Sequence, residues 1–238
     1  MKLSEAKFTV IDTETTGVDP KIDKVVEVGM VTLFPDNSRD FWESLVNPRI
    51  PIPAVASGIH HLTDRDVAKA PLIEELVPEI QFLTHNSILV AQEASFDRSF
   101  LPMLEDKSWI CSKRLARHLW PDAPAYNNQT LRYWLQLEIQ TTRPPHRALP
   151  DALVTTEVFI HEMMVYLANG GANDTGAFME FCQRPVMVKN MPFGKHFGQE
   201  ISGIPIDYCE WVLRNVKDLD SDLKYTFEKR MEAQRLAF

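Results

Sequence analysis

Phe8-Thr9-Val10-Ile11-Asp12-Thr13-Glu14-Thr15-Thr16-Gly17 is the stretch on which the reading of this chain turns. Its first four residues are β-branched or aromatic and form a short apolar run, which predicts a buried strand. Two acids follow at once, Asp12 and Glu14, with one residue between them. Residues two apart on a strand face the same side. Both carboxylates are therefore delivered together at a strand's exit, where a sheet can present ligands.

Outward from that point the pattern is of strands, then of strands alternating with helices. Val25 to Phe34 predicts a second strand and Phe41 to Val46 a third, joined by short connections that suit an antiparallel meander. Leu72, Leu76, Ile80 and Leu83 recur at helical spacing. Ser87 to Ala91 predicts a strand, and Phe96 to Leu104, Ser112 to Leu119, Gln129 to Leu137 and Asp151 to Leu167 predict helices. The fold class expected is α/β, a mixed sheet with helices packed on it. Asn169-Gly170-Gly171-Ala172-Asn173-Asp174-Thr175-Gly176 has linker composition. It divides an expected domain over 1–168 from a small, mainly helical module over 177–238, with helices near Ala177 to Gln183, Asp207 to Asn215 and Ser221 to Leu236.

Charge and composition exclude several classes. The formal net charge of −8 argues against a protein that coats nucleic acid with a broad basic surface. It is compatible with an enzyme that holds a short piece of nucleic acid through metal ions, since bound cations restore local positive potential. No apolar run approaches the roughly 20 residues that span a bilayer. The opening residues lack the apolar core of a signal peptide. Cys111, Cys182 and Cys209 are odd in number and lack metal-type spacing. The expected location is the cytoplasm, with no membrane partner.

Further acids could join Asp12 and Glu14. Asp97 follows the Ser87 to Ala91 strand, and Asp151 follows Pro150 at the start of the long helix, which leaves His146 on the preceding loop. Magnesium takes oxygen ligands, commonly one or two carboxylates with water and phosphate. Two ions about 4 Å apart can serve both sides of a phosphodiester, and a loop histidine titrating near neutrality suits a general base. Each piece alone has an ordinary explanation. Asp-x-Glu is usually a solvated turn, Asp97 or Asp151 a helix cap, and His146 a surface loop residue. The combination, in this order, outweighs them.

The combination also resembles a known family. Phe8 to Gly17 is similar to the first motif of the DEDDh (DnaQ-like) 3′→5′ exonucleases, Ser95-Phe96-Asp97 to the second, and His146-Arg147-Ala148-Leu149-Pro150-Asp151 to the third. Ile59-His60-His61-Leu62-Thr63 matches a segment after the third strand. Trp109 to Pro121, and a tail segment around Met191 to Gly198 with Tyr208-Cys209-Glu210-Trp211-Val212, resemble one branch of that family. The resemblance implies a ribonuclease-H-like mixed five-stranded sheet with flanking helices. It implies hydrolytic release of nucleoside 5′-monophosphates from a DNA 3′ end, single-stranded or duplex, in the setting of DNA repair. It implies two Mg²⁺ ions, for which Mn²⁺ can substitute. Asp12, Glu14 and Asp151 would bind the first, Asp12 would bridge to the second, and Asp97 would hold the second directly or through water. His146 would deprotonate the attacking water. The backbone of Thr15 and Thr16 would contact the terminal 3′-hydroxyl, His60 would line the pocket for the terminal nucleotide, and Arg98 is counted with them as a substrate contact.

One position departs from the family. It usually places His-Asn before the Ala-x-Phe-Asp run, where this chain has Gln92-Glu93. Lys113, Arg114, Arg117 and His118 are read as a solvated helix face ahead of a phosphate-positioning one. Lys189, Lys195 and His196 are a candidate basic patch in the tail, for contact with DNA or a partner protein. Three readings stay open at this point: an exodeoxyribonuclease, an exoribonuclease of the same superfamily, and a catalytically weak binding or polymerase-associated proofreading subunit. A homodimer is among the assemblies considered.

Overall fold

The computed structural model describes residues 1–139 and 145–236. Strand β1 (Lys7–Thr15) runs past the predicted four residues to include both acids. It pairs antiparallel with β2 (Val25–Leu33), which pairs antiparallel with β3 (Arg39–Leu45), as the short connections require. Every residue of β2 is buried, because β2 has a strand on each side and is covered on both faces. Three helices follow: α1 (Ala54–His60), α2 (Asp64–Val67) and α3 (Ile73–Leu83). The chain then returns through β4 (Ser87–Ala91), which lies parallel to β1 on its other edge. α4 (Ala94–Phe100) leads to β5 (Trp109–Cys111), parallel to β4. The five strands stand in the order β3-β2-β1-β4-β5.

Side-chain alternation sorts the two faces. Phe8 and Val10 of β1, Val31 and Leu33 of β2 and Val90 of β4 share a core with Ala152, Phe159, Tyr166 and Phe178. Ile11, Val28, Met30 and Leu89 face the other way, against Leu76, Ile80, Phe100 and Leu104. The first face is covered by α5 (Ser112–Leu119) and the long α7 (Ala148–Ala168), with α6 (Asn128–Trp134) packed on α7. Phe159 is fully buried there, and burying a side chain of this kind is worth about 1.5–3 kcal/mol. Asp12 and Glu14 continue the alternation of Phe8 and Val10, so they fall on the α7 side of the sheet.

Two boundaries differ from the sequence reading. The long helix begins at Ala148, three residues before Asp151, with Pro150 inside its first turn, where a missing N–H costs nothing. The glycine-bearing stretch 169–176 does not separate the domains. α8 (Thr175–Gln183) buries Phe178 and Cys182 in the core of the sheet, and the chain divides after Cys182. The second unit has its own core of Met191, Ile201, Ile204, Cys209, Val212, Leu223 and Phe227. It is built on α9 (Ile206–Asn215) and α10 (Ser221–Leu236).

Candidate active site

The last residue pair between β1 and β4 is Val10 with Val90, yet β1 runs on to Thr15. Past Ile11 its β4 edge is therefore open, and a cavity of about 550 Å³ forms at that exit. Asp12, Glu14, Gln92, Glu93, Phe96, Asp97, His146 and Asp151 are among its walls. Carboxylate oxygens of Asp12, Glu14 and Asp151 lie within 4.8 Å of one another. Asp97 reaches the cavity from the other face of the sheet. It is buried on α4, and its Oδ1 accepts a 2.8 Å hydrogen bond from the Thr13 hydroxyl, on the opposite side of β1 from Asp12. The sheet ends here, so groups from both faces meet.

Asp151 is brought to Asp12 by an unusually close approach. Asp12 stands opposite Gly29 in the β1–β2 register. A Cβ on Gly29 would lie 2.3 Å from the Leu149 nitrogen and 2.4 Å from the Ala148 carbonyl carbon. Only glycine lets the first turn of α7 rest on the strand. Glu27, opposite Glu14, fixes that turn in place. It is buried; its Oε2 accepts 2.9 Å bonds from Arg147 Nε and from the Ala148 amide, and its Oε1 pairs with the Arg147 guanidinium. Breaking such a buried pair costs about 3–5 kcal/mol. The pair leaves His146 just before the helix, exposed and with a left-handed backbone, φ 64°. Its own amide donates to Asp151 Oδ2 at 2.8 Å.

Burial and mutual repulsion set the protonation of the acids. Burial first, then the charges of Asp97, Glu14 and Asp151, push Asp12 well above the carboxylate range. Burial, with Asp151, Glu27 and Asp97, pushes Glu14 up to about 8. Burial raises Asp97 to about 7 against the Thr13 hydroxyl bond. Burial also raises Asp151, against the His146 N–H. Four acids that resist ionising together are a hard-oxygen donor set lacking positive charge, and divalent cations fit it.

Other expected contacts stand elsewhere. Arg98 is exposed and donates to the Glu105 carbonyl at 3.0 Å, outside the cavity wall. His60 is buried at the end of α1, its Nδ1 accepting from the Leu62 amide at 3.0 Å, and burial lowers its pKa. It does not line the carboxylate cavity. Thr15 and Thr16 are buried too, and the Thr16 amide is taken by the Lys24 carbonyl at 2.8 Å. The resemblance implies substrate contacts for Arg98 and His60; here the Arg98 guanidinium is engaged by a backbone carbonyl and the His60 ring by a backbone amide. Glu93, the departure from the family, is held by Lys113 Nζ at 2.7 Å on the cavity rim. Along the same helix Arg117 lies over the Tyr126 ring and His118 against Phe181, so this face is mostly packed rather than solvated.

Sequence reasoning missed Glu27, Gly29 and the pairing role of Arg147. A signal for the first two existed. Glu27 is the one charge in a largely apolar strand, and glycine inside a strand marks a close backbone approach.

Residues 9–159 match the exonuclease family of the RNase T type, and the chain belongs to that family. It is a nuclease, a hydrolase of the kind that depends on divalent metal. Among individual proteins it is similar to Exodeoxyribonuclease 10 of Escherichia coli (strain K12), 33% identical over 94% of this chain and 98% of that one. It is also similar to the solved exonuclease X in complex with 5′ overhanging duplex DNA, at 34% identity and a TM-score of 0.58 over 72% of this chain and 98% of that one. The nuclease domain of 3′hExo, a DEDDh family member bound to rAMP, shares the fold at 15% identity and a TM-score of 0.54, covering 71% of this chain and 96% of that one.

Proposed function

We propose that this chain is a Mg²⁺-dependent 3′→5′ exodeoxyribonuclease that releases nucleoside 5′-monophosphates from DNA, acting in repair. The observation that carries the reading is the meeting of Asp12, Glu14 and Asp151 oxygens within 4.8 Å, in a cavity that Asp97 and His146 also line. Asp12, Glu14 and Asp151 would hold one Mg²⁺, and Asp12 with Asp97 a second; Mn²⁺ would serve in their place. Ions bound there supply positive charge against the phosphodiester and make a water more acidic.

The chain's own residues do the rest. His146 stands exposed at the rim, where an imidazole nitrogen can take the proton of the attacking water. The Glu27–Arg147 pair and the Ala148 amide hold the helix that presents Asp151. Phe96, half-buried in the cavity wall, offers an apolar face to the terminal nucleotide. The names of the relatives favour DNA over RNA, since Exodeoxyribonuclease 10 and the exonuclease X complex both point to it. The three free thiols suit the cytoplasm, and among the described residues no helix is long and apolar enough to cross a membrane. A homodimer in solution is a further proposal, for which light scattering is the measure.

Equal DNA and RNA strands carrying a 5′ label, incubated with Mg²⁺, test the reading. Shortening of the DNA from its 3′ end with release of 5′-monophosphates is expected. A failure to shorten DNA in either Mg²⁺ or Mn²⁺, or digestion of RNA alone, overturns it.

A further inference from the structure

The second unit presents an aromatic surface that the nuclease site does not use. Tyr208 and Trp211, three apart on α9, share one face of the helix, with ring centroids 6.0 Å apart and planes inclined by 20°. The turn around Gly194 presses on the same ring. Gly194 has φ +72°, and a Cβ there would come 2.7 Å from the Tyr208 hydroxyl. Lys195 Nζ lies over the Tyr208 ring at 5.0 Å, and His196 meets its edge at 4.6 Å. Phe193 and Phe197 flank this turn. Phe197 is 73% exposed and Trp211 55%. Large aromatic surface kept in water beside fixed cations marks an interaction site rather than a core.

Charge indicates the partner. The stretch 183–238 has nine Lys/Arg against eight Asp/Glu, a net +1, so the chain's negative charge lies in the first unit. Two of the acids near the patch are paired, Glu200 with Lys189 at 3.9 Å and Glu210 with Arg214 at 2.9 Å; Asp207 adjoins Tyr208 on α9. Lys195 has no carboxylate within salt-bridge distance among the described residues and stays over the ring. Stacking faces interleaved with cations bind the bases and phosphates of a single strand, and the stacking is indifferent to sequence because every base has a π-face.

We propose that Phe197, Tyr208 and Trp211, with Lys195 and His196, form a base-stacking site for single-stranded nucleic acid in the second unit. The choice of ligand rests on the reading of the first unit as an exonuclease on DNA; the site itself does not. The test uses the full chain in chelator, where no hydrolysis occurs. Fluorescence anisotropy would compare a labelled dT20 with an abasic 20-mer of the same backbone, for the wild type, Phe197→Ala/Trp211→Ala, Lys195→Gln and Trp211→Phe. The wild type should prefer dT20, and the double variant should lose about five- to hundredfold of dT20 affinity, the range for one lost base stack. Trp211→Phe should keep most of the preference, and Lys195→Gln should weaken both ligands alike and flatten their salt dependence. Equal binding of the two 20-mers by the wild type, or an undiminished preference in the double variant, overturns the proposal and leaves the patch to a protein partner. Hydrolysis of a labelled trinucleotide in Mg²⁺, run beside it, should be unchanged in every variant. Failure of the nuclease reading would appear only there, as a wild type that does not cut.

Discussion

Gly29→Ala adds one methyl group at a distance from the cavity and should still disable it. The new Cβ would sit 2.3 Å from the Leu149 nitrogen and 2.4 Å from the Ala148 carbonyl carbon, both backbone atoms that cannot rotate aside. Comfortable contact needs about 3.5 Å. The first turn of α7 must therefore retreat by about 1 Å, or β2 must bow away by as much. Either way the 2.9 Å bond from the Ala148 amide to Glu27 opens, and Asp151 leaves its partners Asp12 and Glu14. Overpacking of this kind costs about 1–3 kcal/mol, which for a chain of this size lowers the melting temperature by about 2–12 °C. A displacement of about 1 Å at a reacting centre costs about 10²-fold in rate. Steady-state kinetics on a labelled single strand in saturating Mg²⁺ should show the loss mainly in kcat. Gly58→Ala, where an added Cβ meets nothing within 4 Å, is the control and should change neither kcat nor KM. A Gly29→Ala protein with kcat within twofold of wild type and an unshifted melting temperature would refute the claim that this contact positions Asp151.

Four further outcomes are expected. In chelator, stability should fall as pH rises from about 4.5 to about 8. The unfolded chain releases its carboxylate protons near 4, whereas folded Asp97 and Glu14 keep theirs to about 7 and about 8, so the folded state binds more protons across that window. Asp12→Asn should flatten the slope, raise the metal-free melting temperature and abolish hydrolysis; a melting temperature that climbs with pH would contradict this. His146→Ala should lower kcat by about 10²–10⁴-fold with divalent-ion affinity unchanged in calorimetry, and near-normal turnover would show that another group takes the proton. Glu93→Asn should lower KM by about two- to fivefold with kcat held, a modest gain because Lys113 already offsets this exposed carboxylate; an inactive variant would make Glu93 an unrecognised ligand. Truncation after Gln183 should leave a folded nuclease, whereas truncation after Gly176 strips Phe178 from the core at about 3–5 kcal/mol; equal melting temperatures for the two would deny α8 its place in the first unit.

The sheet and its acids were legible because they are written in local patterns. An apolar run ending in Asp-x-Glu gives a strand and a shared face without knowledge of anything distant. β5 was missing from the pattern because three residues, Trp109 to Cys111, are too short to show a period. The start of α7 was placed late because Pro150 looks like a boundary, and the competing fact is the seat that Gly29 gives to Ala148 and Leu149. The domain boundary was misplaced for a similar reason. Glycines predict a turn, and they form one after α7, but nothing local says that Phe178 returns to the sheet beyond it. The contacts read as substrate-binding were the least legible. Where Arg98 and His60 point depends on the Glu105 carbonyl and the Leu62 amide, whose positions only the folded chain fixes.

The open edge of β1 has a consequence for the order in which this protein comes into being. During synthesis Asp12 and Glu14 emerge first and can zip to β2 within a local hairpin. β4, which delivers Asp97, and α7, which carries Asp151, leave the ribosome far later. Until α7 has seated on Gly29, a nascent chain holds a strand with two acids and no closed cavity. Such long-range closure is slow to form. The cavity of a growing polypeptide thus closes only once nearly the whole first unit has been made, while the second unit is still to be added.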